Sequence, residues 1–596
     1  MTPPLTVEEL NRVLQREPKH PLYLTQLASL LGQQDQTAEA LRAIETAIQQ
    51  PECPALAHQI HGDLLRASGR SDEAAGAYSL AVRANPTQPE PLFRMGLALE
   101  ESGVPQGAKQ AFDQVLQREP EHEGAVLGIA RLLGQAKQHP DSIRWIQQSP
   151  DNPKLRSLLA SELLANGNFR GCMDCLNKSE TDSLTASLRI RALTYDPQAD
   201  AQTLYKATCE RANNLYSEKP ESAPLLDPNP ARRLRIGFVS SRLNRHNSSI
   251  HLRNLIFHCD RGQFEIVLFS DTHRLDDFST SLKKLADEWH DISRLNTEEA
   301  AESIRSKQID LLVDLHEHSN DNRLQIFGHK PTPIQVHWYA NAVTTGLKEI
   351  DYRISSAIAD PEEADPFSAE KVIRLPNYYL YSPSSMTKAT TPAKTIPAKQ
   401  NGFITFGAIH HLAKYNDEVL AAWKAILDQL PTAHLLLGRN NFSAESTKAS
   451  FLERLEKNGL PIDRIELEGD QQTIGSLEIF NRIDIVLDSW PYNSVASAAD
   501  GLWMGVPHIT LYGNRTAGRR AADQMTLIGH PEWIAKDTAE YVEKAVALAN
   551  DMKLLKNIRS KLHDEFTASP MCDHAKTARD IFGAFRQIWQ TACAPQ

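Results

Sequence analysis

A 34-residue period in the first third of the chain restricts what that third can fold into. Residues of the same kind recur at this spacing, in the pairs Gly62 and Gly96, Gly69 and Gly103, Ala74 and Ala108, Tyr78 and Phe112, and Pro86 and Pro120. A fixed period of this length indicates stacked supersecondary units, each of which contacts mainly its neighbours. The small residues predict close helix crossings, the aromatic residue lies in the second helix, and the proline ends each unit.

Weaker copies flank the two clear ones. Small and apolar residues match one period earlier at Ala28, Ala40, Ile44 and Ala47, one period later at Ala130, and again around Ala160 and Gly167. The pattern resembles the tetratricopeptide repeat and predicts about five helix pairs over roughly residues 5–180. Such an α-solenoid has a concave groove that binds an extended peptide or a partner helix. A spacer or a dimerisation module is the alternative.

Length and composition limit the classes of protein to consider. At 596 residues the chain exceeds one hydrophobic core, and its net charge of −11 argues against a nucleic-acid coat. No run of about 18 apolar residues occurs, and the N-terminal segment lacks the features of a secretory signal, so we expect neither a membrane span nor export. Seven scattered cysteines suit a reducing cytoplasm. Cys172 and Cys175 form a CxxC in a helical pattern, where we expect buried helix positions rather than zinc or redox chemistry.

The C-terminal two-thirds alternates apolar strands with helical segments. A first series predicts strands at 234–239, 264–270, 309–315 and 334–339, with helices at 280–288 and 298–307 among the segments between them. A second series begins at Phe403 and predicts strands in ITFGAI, HLLLG, RIELEG, IDIVLD and HITLYG. This alternation predicts an α/β architecture with two parallel, doubly wound sheets. Two such Rossmann-like lobes place a cleft between the carboxyl ends of their strands, where nucleotide-like ligands bind.

The stretch Ile483–Pro507 carries the clearest candidate for a ligand site. An apolar strand is followed by Asp488 and Asn493, then by small residues and an apolar helical segment. Backbone N–H groups and the dipole at such a helix start bind diphosphate, although an ordinary βα unit has the same geometry. The chain contains no GxGxxG, GxxxxGKS/T or GxSxG motif, which disfavours dinucleotide oxidoreductases, P-loop enzymes and hydrolases with a nucleophile elbow.

Several motifs between residue 234 and about residue 589 occur in one collinear order. They include LRIGFVSS (234–241), DLLVDLHEHSNDNR (310–323), TFGAIHHLAK (405–414), LDSWPYN (487–493), LWMGVP (502–507) and GNRTAGRRAA (513–522). Together they resemble the catalytic region of the O-GlcNAc transferase family, the protein O-glycosyltransferases that include SPINDLY-type and bacterial members. The resemblance implies a GT-B fold of two Rossmann-like lobes. It also implies inverting, metal-independent transfer of a sugar from a nucleotide sugar, such as UDP-GlcNAc or GDP-fucose, to Ser or Thr of a protein.

The resemblance and the composition shifts together predict the domain organisation. The predicted segments are a tetratricopeptide-repeat array at 1–182, a helical connector and Pro-rich linker at 183–230, an N-terminal Rossmann-like lobe at 231–381, a divider rich in Ser, Thr, Pro and Lys at 382–400, and a C-terminal Rossmann-like nucleotide-sugar lobe at 401–596. The partners expected for this organisation are a protein or peptide acceptor and a nucleotide sugar. No nucleic acid, cofactor or metal is expected, and the oligomeric state stays open.

The resemblance assigns catalytic roles position by position. His246 matches a histidine beside the transferred sugar that serves as a general base or as a positioning group; a loop histidine that caps the following helix is the alternative. His318 matches a second histidine that lines the cleft. Lys414 matches the lysine that contacts the donor diphosphate, where a fixed cation stabilises the charge that develops on the leaving group.

The predicted donor-binding residues are His411, Asn493, Ser497, Asp500 and Gln335. Among them, Asp500 matches an acid that contacts the donor ribose, whereas an acid favoured by the helix dipole is an equal alternative. His411 takes the place of the Gln or Asn that precedes Lys414 in relatives, and an imidazole N–H still donates to phosphate.

The chain departs from the family at several positions. Relatives carry His-Thr-Thr or Gly-Thr-Thr where this chain has Val495, Ala496 and Ser497, so two polar side chains of the diphosphate loop are missing. Ser476 stands where relatives often have a histidine that packs against the nucleoside, and His316 replaces the usual Asn. Three hypotheses stay open. The first is a cytoplasmic protein O-glycosyltransferase whose repeat groove binds the acceptor, the second is a degenerate scaffold that binds proteins, and the third is a transferase with another donor or with another acceptor such as flagellin.

Overall fold

The structure is a computed structural model, and it describes residues 5–150, 152–178, 183–215, 223–319, 321–339, 342–383, 391–475 and 477–594. The chain divides into two compact units, Met1–Glu162 and Leu163–Gln596. None of the described helices is both long enough and apolar enough to cross a membrane. The predicted end of the repeat array at residue 182 and parts of the predicted linker and divider lie outside the described residues.

The helices in chain order are α1 (Val7–Leu14), α2 (Pro21–Gln33), α3 (Thr37–Ile48), α4 (Ala55–Ala67), α5 (Ser71–Ala84), α6 (Pro89–Glu101), α7 (Pro105–Arg118), α8 (Glu123–Gln135), α9 (His139–Gln147), α10 (Pro153–Ala165), α11 (Phe169–Leu176), α12 (Ser183–Tyr195), α13 (Ala201–Leu215), α14 (Asn247–Phe257), α15 (Asp277–Leu285), α16 (Thr297–Ser306), α17 (Leu324–Gly328), α18 (Ala398–Asn401), α19 (Asp417–Gln429), α20 (Glu445–Lys457), α21 (Gln471–Gly475), α22 (Val495–Trp503), α23 (Arg520–Leu527), α24 (Thr538–Asn550), α25 (Met552–Thr567) and α26 (His574–Cys593). The strands are β1 (Leu234–Ser240), β2 (Phe264–Ser270), β3 (Glu288–Asp291), β4 (Leu311–Asp314), β5 (Ile334–His337), β6 (Tyr352–Ser355), β7 (Lys371–Arg374), β8 (Thr405–Ala408), β9 (His434–Gly438), β10 (Ile465–Glu468), β11 (Ile485–Leu487), β12 (His508–Leu511) and β13 (Ile534–Ala535).

The first unit is a stack of helix pairs that follows the 34-residue period. The first helices of successive pairs begin at 21, 55, 89 and 123, and the second helices begin at 37, 71, 105 and 139. The turn inside each pair has a positive φ at the same repeat position, occupied by Asp35, Gly69, Gly103 and Lys137. A left-handed residue at this point ends the first helix and reverses the chain. The predicted helical repeat is therefore confirmed, and the weaker copies formed by α2–α3 and α8–α9 keep the period, whereas α10 and α11 begin only 30 residues after α8 and α9.

The small residues of the repeat are required by the aromatic rings of the second helices. A Cβ atom on Gly62 would lie 2.6 Å from the ring of Tyr78, and one on Gly96 would lie 2.6 Å from the ring of Phe112. Both rings are fully buried, so they have no open space to move into. The glycine lets the two helices of a pair approach closely enough for the ring to fill the space between them.

Replacing Gly96 with alanine is expected to destabilise the first unit by about 1–3 kcal/mol, because the added methyl overlaps the buried Phe112 ring. Gly76→Ala is the matched control, since a Cβ at this helical position on α5 meets no atom within 4 Å. That change should be neutral or stabilise the chain by up to about 1 kcal/mol. Urea unfolding followed by circular dichroism measures both variants, and equal midpoints for the two would contradict the packing described.

The second unit contains the α/β region, and within its described residues two parallel sheets form. The first has the strand order β3-β2-β1-β4-β5-β6-β7, and the second has the order β10-β9-β8-β11-β12-β13. The predicted two Rossmann-like lobes are therefore confirmed. In each sheet the first strand along the chain pairs with strands on both sides, β1 with β2 and β4, and β8 with β9 and β11. The strand order reverses at these two places, where crevices open at the carboxyl ends.

Four short strands at or next to the edges of the sheets were missed by the sequence pattern. The helix predicted to run to Glu288 ends at Leu285, and Glu288 begins β3 instead. The strands β6, β7 and β13 were not predicted either. Their sequences YRIS, KVIR and IA mix charged or small residues with apolar ones, and β3 reads EWHD. Such short segments carry neither a continuous apolar run nor a clear alternation, so periodicity does not detect them.

The helices α11, α12 and α13 belong to the second unit and pack onto its lobes. A Cβ on Gly167, before α11, would lie 2.8 Å from the carbonyl oxygen of Leu412. Arg515 of the C-terminal lobe donates to the carbonyl oxygens of Thr194 (3.0 Å) and Asp196 (2.9 Å), at the end of α12. The repeat-like helices next to the linker are thus part of the same core as the two sheets.

Candidate functional site

Loops that follow the four central strands of the two sheets surround one cavity of about 340 Å³. These loops come after β1, β4, β8 and β11, and helix α12 closes one side. The lining residues are Ile190, Arg191, Thr194, Tyr195, His246, Asn247, His316, Glu317, His318, Ser319, Tyr339, Ala342, Val343, Lys414, Tyr492, Asn493, Val495, Ala496 and Arg520. Because the cavity lies at both points of strand-order reversal, it is where the fold favours a ligand.

His246 caps α14 and also lines the cavity. Its Nδ1 accepts a hydrogen bond from the backbone N–H of Ser248 at 3.3 Å, with the Ser248 hydroxyl 2.8 Å away. Although part of the ring is open to the cavity, the surrounding protein desolvates it and lowers the pKa of His246 to about 4, with His316 and Arg242 adding to the shift. The ring is therefore neutral at pH 7, and because Nδ1 accepts, the proton is on Nε2. This tautomer offers the cavity a hydrogen-bond donor, which suits a positioning group better than a general base.

The loop after β4 is held by a buried ion pair. Nδ1 of His337 lies 2.8 Å from Oδ2 of Asp314, and the same carboxylate accepts from the backbone N–H groups of His316 (3.2 Å) and Glu317 (2.9 Å). His316, which replaces the usual Asn, places Nε2 2.7 Å from the hydroxyl of Ser240 at the end of β1. The histidine thus joins the ends of the two central strands of the first sheet.

His318 lies in the cavity wall with both ring nitrogens bound. Its Nε2 is 3.0 Å from the carbonyl oxygen of Thr344, and its Nδ1 is 3.3 Å from the guanidinium of Arg211 on α13. Burial and Arg211 lower the pKa of His318 to about 3, so the ring is neutral. Since one nitrogen donates and the other accepts within the protein, His318 shapes the cavity rather than exchanging protons with a ligand.

Lys414 brings a cation to the centre of the site. Its Nζ donates to the carbonyl oxygen of Asn493 at 2.7 Å and lies 4.4 Å from the ring centre of Tyr492. Desolvation lowers the pKa of Lys414 to about 7, against the opposing effect of Asp488. His411 caps the short turn that carries this lysine, since its Nδ1 accepts from the backbone N–H of Ala413 at 3.2 Å. An anion that enters the cavity would restore the charge of Lys414.

The loop after β11 is shaped by Asp488, which is fully buried. Its carboxylate accepts from the backbone N–H of Ser494 (2.9 Å) and from the Thr510 hydroxyl (2.6 Å), and it lies 3.5 Å from Nε2 of His508. Burial alone would raise the pKa of Asp488, but His508 and the hydrogen bonds outweigh it and lower the value to about 2. The carboxylate stays ionised and fixes the turn that leads into α22.

Asn493 supports this loop from inside. Its amide donates to the carbonyl oxygen of Ser489 at 3.0 Å and accepts from the backbone N–H of Ala521 at 3.3 Å. The predicted donor-binding side chain is therefore turned into the protein, and Asn493 reaches the site through its backbone carbonyl, which holds Lys414.

The start of α22 faces the cavity with small and apolar side chains. Val495 and Ala496 line the cavity, and Ser497 bonds to the Ser494 hydroxyl at 2.6 Å. The free backbone N–H groups of this first turn remain, since they do not depend on side-chain type. Asp500, one turn further on, accepts from the hydroxyl of Tyr381 at 2.7 Å and lines a narrow side pocket of about 30 Å³.

One predicted donor-binding residue, Gln335, lies away from the cavity. Gln335 is fully buried in β5, where its amide donates to the carbonyl oxygens of Phe327 and Glu349 at 2.8 Å each, so the structure does not bring it to the cavity. Ser476 lies outside the described residues. In the described part of the chain, no three side chains of His, Cys, Asp or Glu gather as metal ligands would.

Sequence reasoning missed several residues of the cavity wall. Tyr195 on α12 stacks on His411 and on Tyr492, with ring centres 5.9 Å and 5.4 Å apart. Arg520, at the start of α23, is almost completely buried. The only signal in sequence was the position of Arg520 within the GNRTAGRRAA motif. Nothing in the sequence links Tyr195 to Lys414, because the two contact the same ring, that of Tyr492, only in the folded chain.

Family comparisons agree with this architecture. Models described as a tetratricopeptide repeat-like domain and a tetratricopeptide repeat match residues 7–100 and 93–153. The model described as Glycosyl transferase family 41 matches residues 209–403 and 381–581. Together these matches span the helical repeats and both Rossmann-like lobes.

Individual relatives point the same way. A Solanum lycopersicum protein named probable UDP-N-acetylglucosamine–peptide N-acetylglucosaminyltransferase SPINDLY is 32% identical over 429 residues, which cover 70% of this chain and 45% of that protein. The Arabidopsis thaliana protein of the same name is 30% identical over 70% of this chain and 46% of its own length. The chain thus spans a little under half the length of these plant relatives.

A solved structure is similar over most of the chain. It is a mutant of the O-GlcNAc transferase from Thermobaculum terrenum, with a TM-score of 0.76 and 28% identity over 85% of this chain and 98% of that one. Its match extends beyond the two lobes into the helical repeats, because the lobes alone do not fill that share of the chain. On these grounds, the chain belongs to glycosyl transferase family 41.

Proposed function

We propose that the chain is a protein O-glycosyltransferase that transfers GlcNAc from UDP-GlcNAc to Ser or Thr hydroxyls of a protein acceptor. The observation that carries the proposal is the cavity at both strand-order reversals, with Lys414 beside the start of α22. A cation and a helix N-terminus in one enclosed site suit a diphosphate leaving group. The names of the relatives, which specify peptide acceptors and UDP-N-acetylglucosamine, support the same donor and acceptor classes.

In this proposal each part of the site has its own task. Lys414 and the backbone N–H groups of α22 hold the diphosphate and stabilise its charge as the sugar leaves. His246 donates through Nε2 to a group of the donor or acceptor, and Asp488 keeps the loop before α22 in place. Transfer proceeds with inversion and without a metal ion, and the repeat array binds the acceptor protein in its groove. The site of action is the cytoplasm.

A second candidate function is a protein-binding scaffold without transferase activity. Val495 and Ala496 favour it, because both line the cavity where relatives offer hydroxyl groups to the diphosphate. A transferase that uses another nucleotide sugar, or another acceptor such as flagellin, would also accommodate these two changes. The scaffold differs from every transferase in that no nucleotide binds its folded chain.

A nucleotide panel separates these functions. The thermal midpoint of the full chain is measured with UDP, GDP, UDP-GlcNAc and GDP-fucose, since a ligand that binds only the folded state stabilises it by about 2.7 kcal/mol at 100 times its dissociation constant. We expect the largest shift with the uridine nucleotides. Mass spectrometry then follows candidate acceptor proteins for the addition of one N-acetylhexosamine, with the Lys414→Ala chain as the blank. No shift with any nucleotide and no added sugar would leave the scaffold as the function.

Donor binding is expected to take up a proton above pH 7. In the free protein the pKa of Lys414 is lowered to about 7, so the amine is mostly neutral at pH 8. A bound diphosphate favours the charged amine and raises this pKa, and affinity must therefore fall as pH rises through 7. Calorimetry with UDP-GlcNAc at pH 8 in two buffers of different ionisation enthalpy measures the uptake. In Lys414→Arg, whose guanidinium is always charged, the uptake should disappear while binding persists; equal uptake in both chains would assign the proton to another group.

A further inference from the structure

A second cation, Arg520, lies in the wall of the cavity and forms no salt bridge with the described residues. Arg520 is 6% exposed and is the first residue of α23. Within the described residues its guanidinium donates to the carbonyl oxygen of Tyr339 at a long 3.3 Å, and its Nε has no hydrogen-bond partner. A buried guanidinium normally has its donors filled and its charge paired. Arg520 therefore keeps binding capacity for a group that is not part of the chain.

The groups around Arg520 do not supply a full counter-charge. The phenols of Tyr378 and Tyr379 surround it, but a phenol is neutral at pH 7, and burial raises the pKa of both further. Asp523 lies one turn further along α23, and burial raises the pKa of its carboxyl to about 7, so it is only partly ionised. The acid that lines the cavity, Glu317, has its oxygens engaged by the backbone N–H groups of Ala342 (3.1 Å) and Val343 (2.6 Å).

Arg520 and Lys414 are tied to the same residue. The backbone N–H that follows Arg520, that of Ala521, donates to the side chain of Asn493, and the carbonyl of Asn493 accepts from Lys414. Arg520 also contributes to the lowered pKa of Lys414, as a neighbouring like charge does. Two cations that repel each other across an enclosed cavity cost free energy in the empty protein. An anion of at least two charges between them removes that cost.

The first turn of α22 lies on the same cavity wall. Val495 and Ala496 line the cavity together with Lys414 and Arg520, and neither can hydrogen-bond to a phosphate through its side chain. The turn therefore offers backbone N–H groups alone, which by themselves are a weaker anion site than one with hydroxyl groups. The same cavity is lined by the guanidinium of Arg520, which has no ion pair with the described residues and can supply the hydrogen bonds that Val495 and Ala496 lack.

We propose that Arg520 is a second diphosphate-binding cation, which takes over the contacts that Val495 and Ala496 cannot make. The inference rests on the proposed function for the identity of the whole ligand, but the diphosphate contact can be tested without a nucleoside. An arginine holds phosphate through two parallel N–H···O bonds, whereas Lys414 acts as a single charged point. Together the two cations compensate for the two missing polar side chains, so the diphosphate site is retained.

The test is calorimetry of the full chain with inorganic pyrophosphate and, separately, with UDP. Arg520→Met, which keeps the length of the side chain, is expected to weaken pyrophosphate binding about 10- to 100-fold, as loss of a charge-assisted pair does. Arg519→Met is the matched control, because this neighbouring guanidinium donates to the carbonyl oxygen of Gly513 at 2.9 Å and does not line the cavity. Arg519→Met should bind pyrophosphate as the wild-type chain does.

Unfolding of the ligand-free chains separates a binding role from a structural one. Removing an unpaired buried charge should leave the thermal midpoint of Arg520→Met equal to or above that of the wild type. A lower midpoint with unchanged pyrophosphate affinity would show that Arg520 only supports the tyrosines around it, and would overturn the inference. If the wild type binds pyrophosphate in an Arg520-dependent manner but binds neither UDP nor GDP, the proposed function fails while the inference stands.

Discussion

Replacing Lys414 with alanine is expected to abolish sugar transfer while the chain remains folded. The amine lines the cavity together with the start of α22, and it lies over the Tyr492 ring and donates to the carbonyl oxygen of Asn493. Loss of one group that stabilises developing charge in an enclosed site lowers kcat by about 100- to 1000-fold. The substitution removes one hydrogen bond, which lowers the free energy of unfolding by about 1 kcal/mol.

Transfer is measured as N-acetylhexosamine added to an acceptor protein per unit time, with folding followed by circular dichroism. Lys424→Ala serves as the control, because this lysine pairs with Asp428 on the surface of the same lobe. The control should retain full activity and stability. Transfer near the wild-type rate in Lys414→Ala would mean that the diphosphate lies elsewhere than beside α22.

Asp488→Ala is expected to have the second largest effect, and it acts on the loop rather than on the ligand. The change leaves the N–H of Ser494 and the hydroxyl of Thr510 without their buried acceptor. Removal of one member of a buried charged network costs about 3–5 kcal/mol. Because the turn before α22 then loses its fixed geometry, nucleotide affinity should fall together with stability.

The opposite end of the same strand provides a matched control. Asp484, before β11, accepts from the backbone N–H groups of Ala398 (3.0 Å) and Thr405 (2.8 Å) and is also buried. Asp484→Ala should lower the unfolding free energy too, yet it lies away from the loop that faces the cavity. The UDP affinity of both variants is measured by calorimetry at a temperature below both unfolding transitions. Equal losses of affinity in Asp488→Ala and Asp484→Ala would show that general destabilisation, and not the loop before α22, lowers the affinity.

Much of the fold was predictable because its signals are local. The repeat period follows from residues such as Gly96 and Phe112, which must meet within one helix pair, and the central strands are continuous apolar runs. The edge strands β3 and β7 were not predictable, since they gain their extended form from pairing with a neighbour rather than from their own residues.

The candidate site was predictable to the extent that motifs place residues at strand ends. His246, His318 and Lys414 follow β1, β4 and β8, and the resemblance to the family named them; their catalytic roles remain predictions. Their protonation states were not, because these depend on burial and on partners such as Arg211 that are distant in sequence. The donor-binding roles of His411, Ser497 and Asp500 remain predictions. Arg520 and Tyr195 escaped notice for the same reason, since long-range packing alone brings them to the cavity.

The packing of α11–α13 onto the two lobes has a consequence for how such chains can change in length. A whole 34-residue pair can be gained or lost upstream, where each pair contacts mainly its neighbours. Loss of α12 would instead remove Tyr195 from its stack with His411 and Tyr492 and open one wall of the cavity. We therefore expect natural variation in repeat number to occur upstream of residue 163. An engineered exchange of the array for another binding module should also be joined upstream of residue 163, and not at the Pro-rich linker.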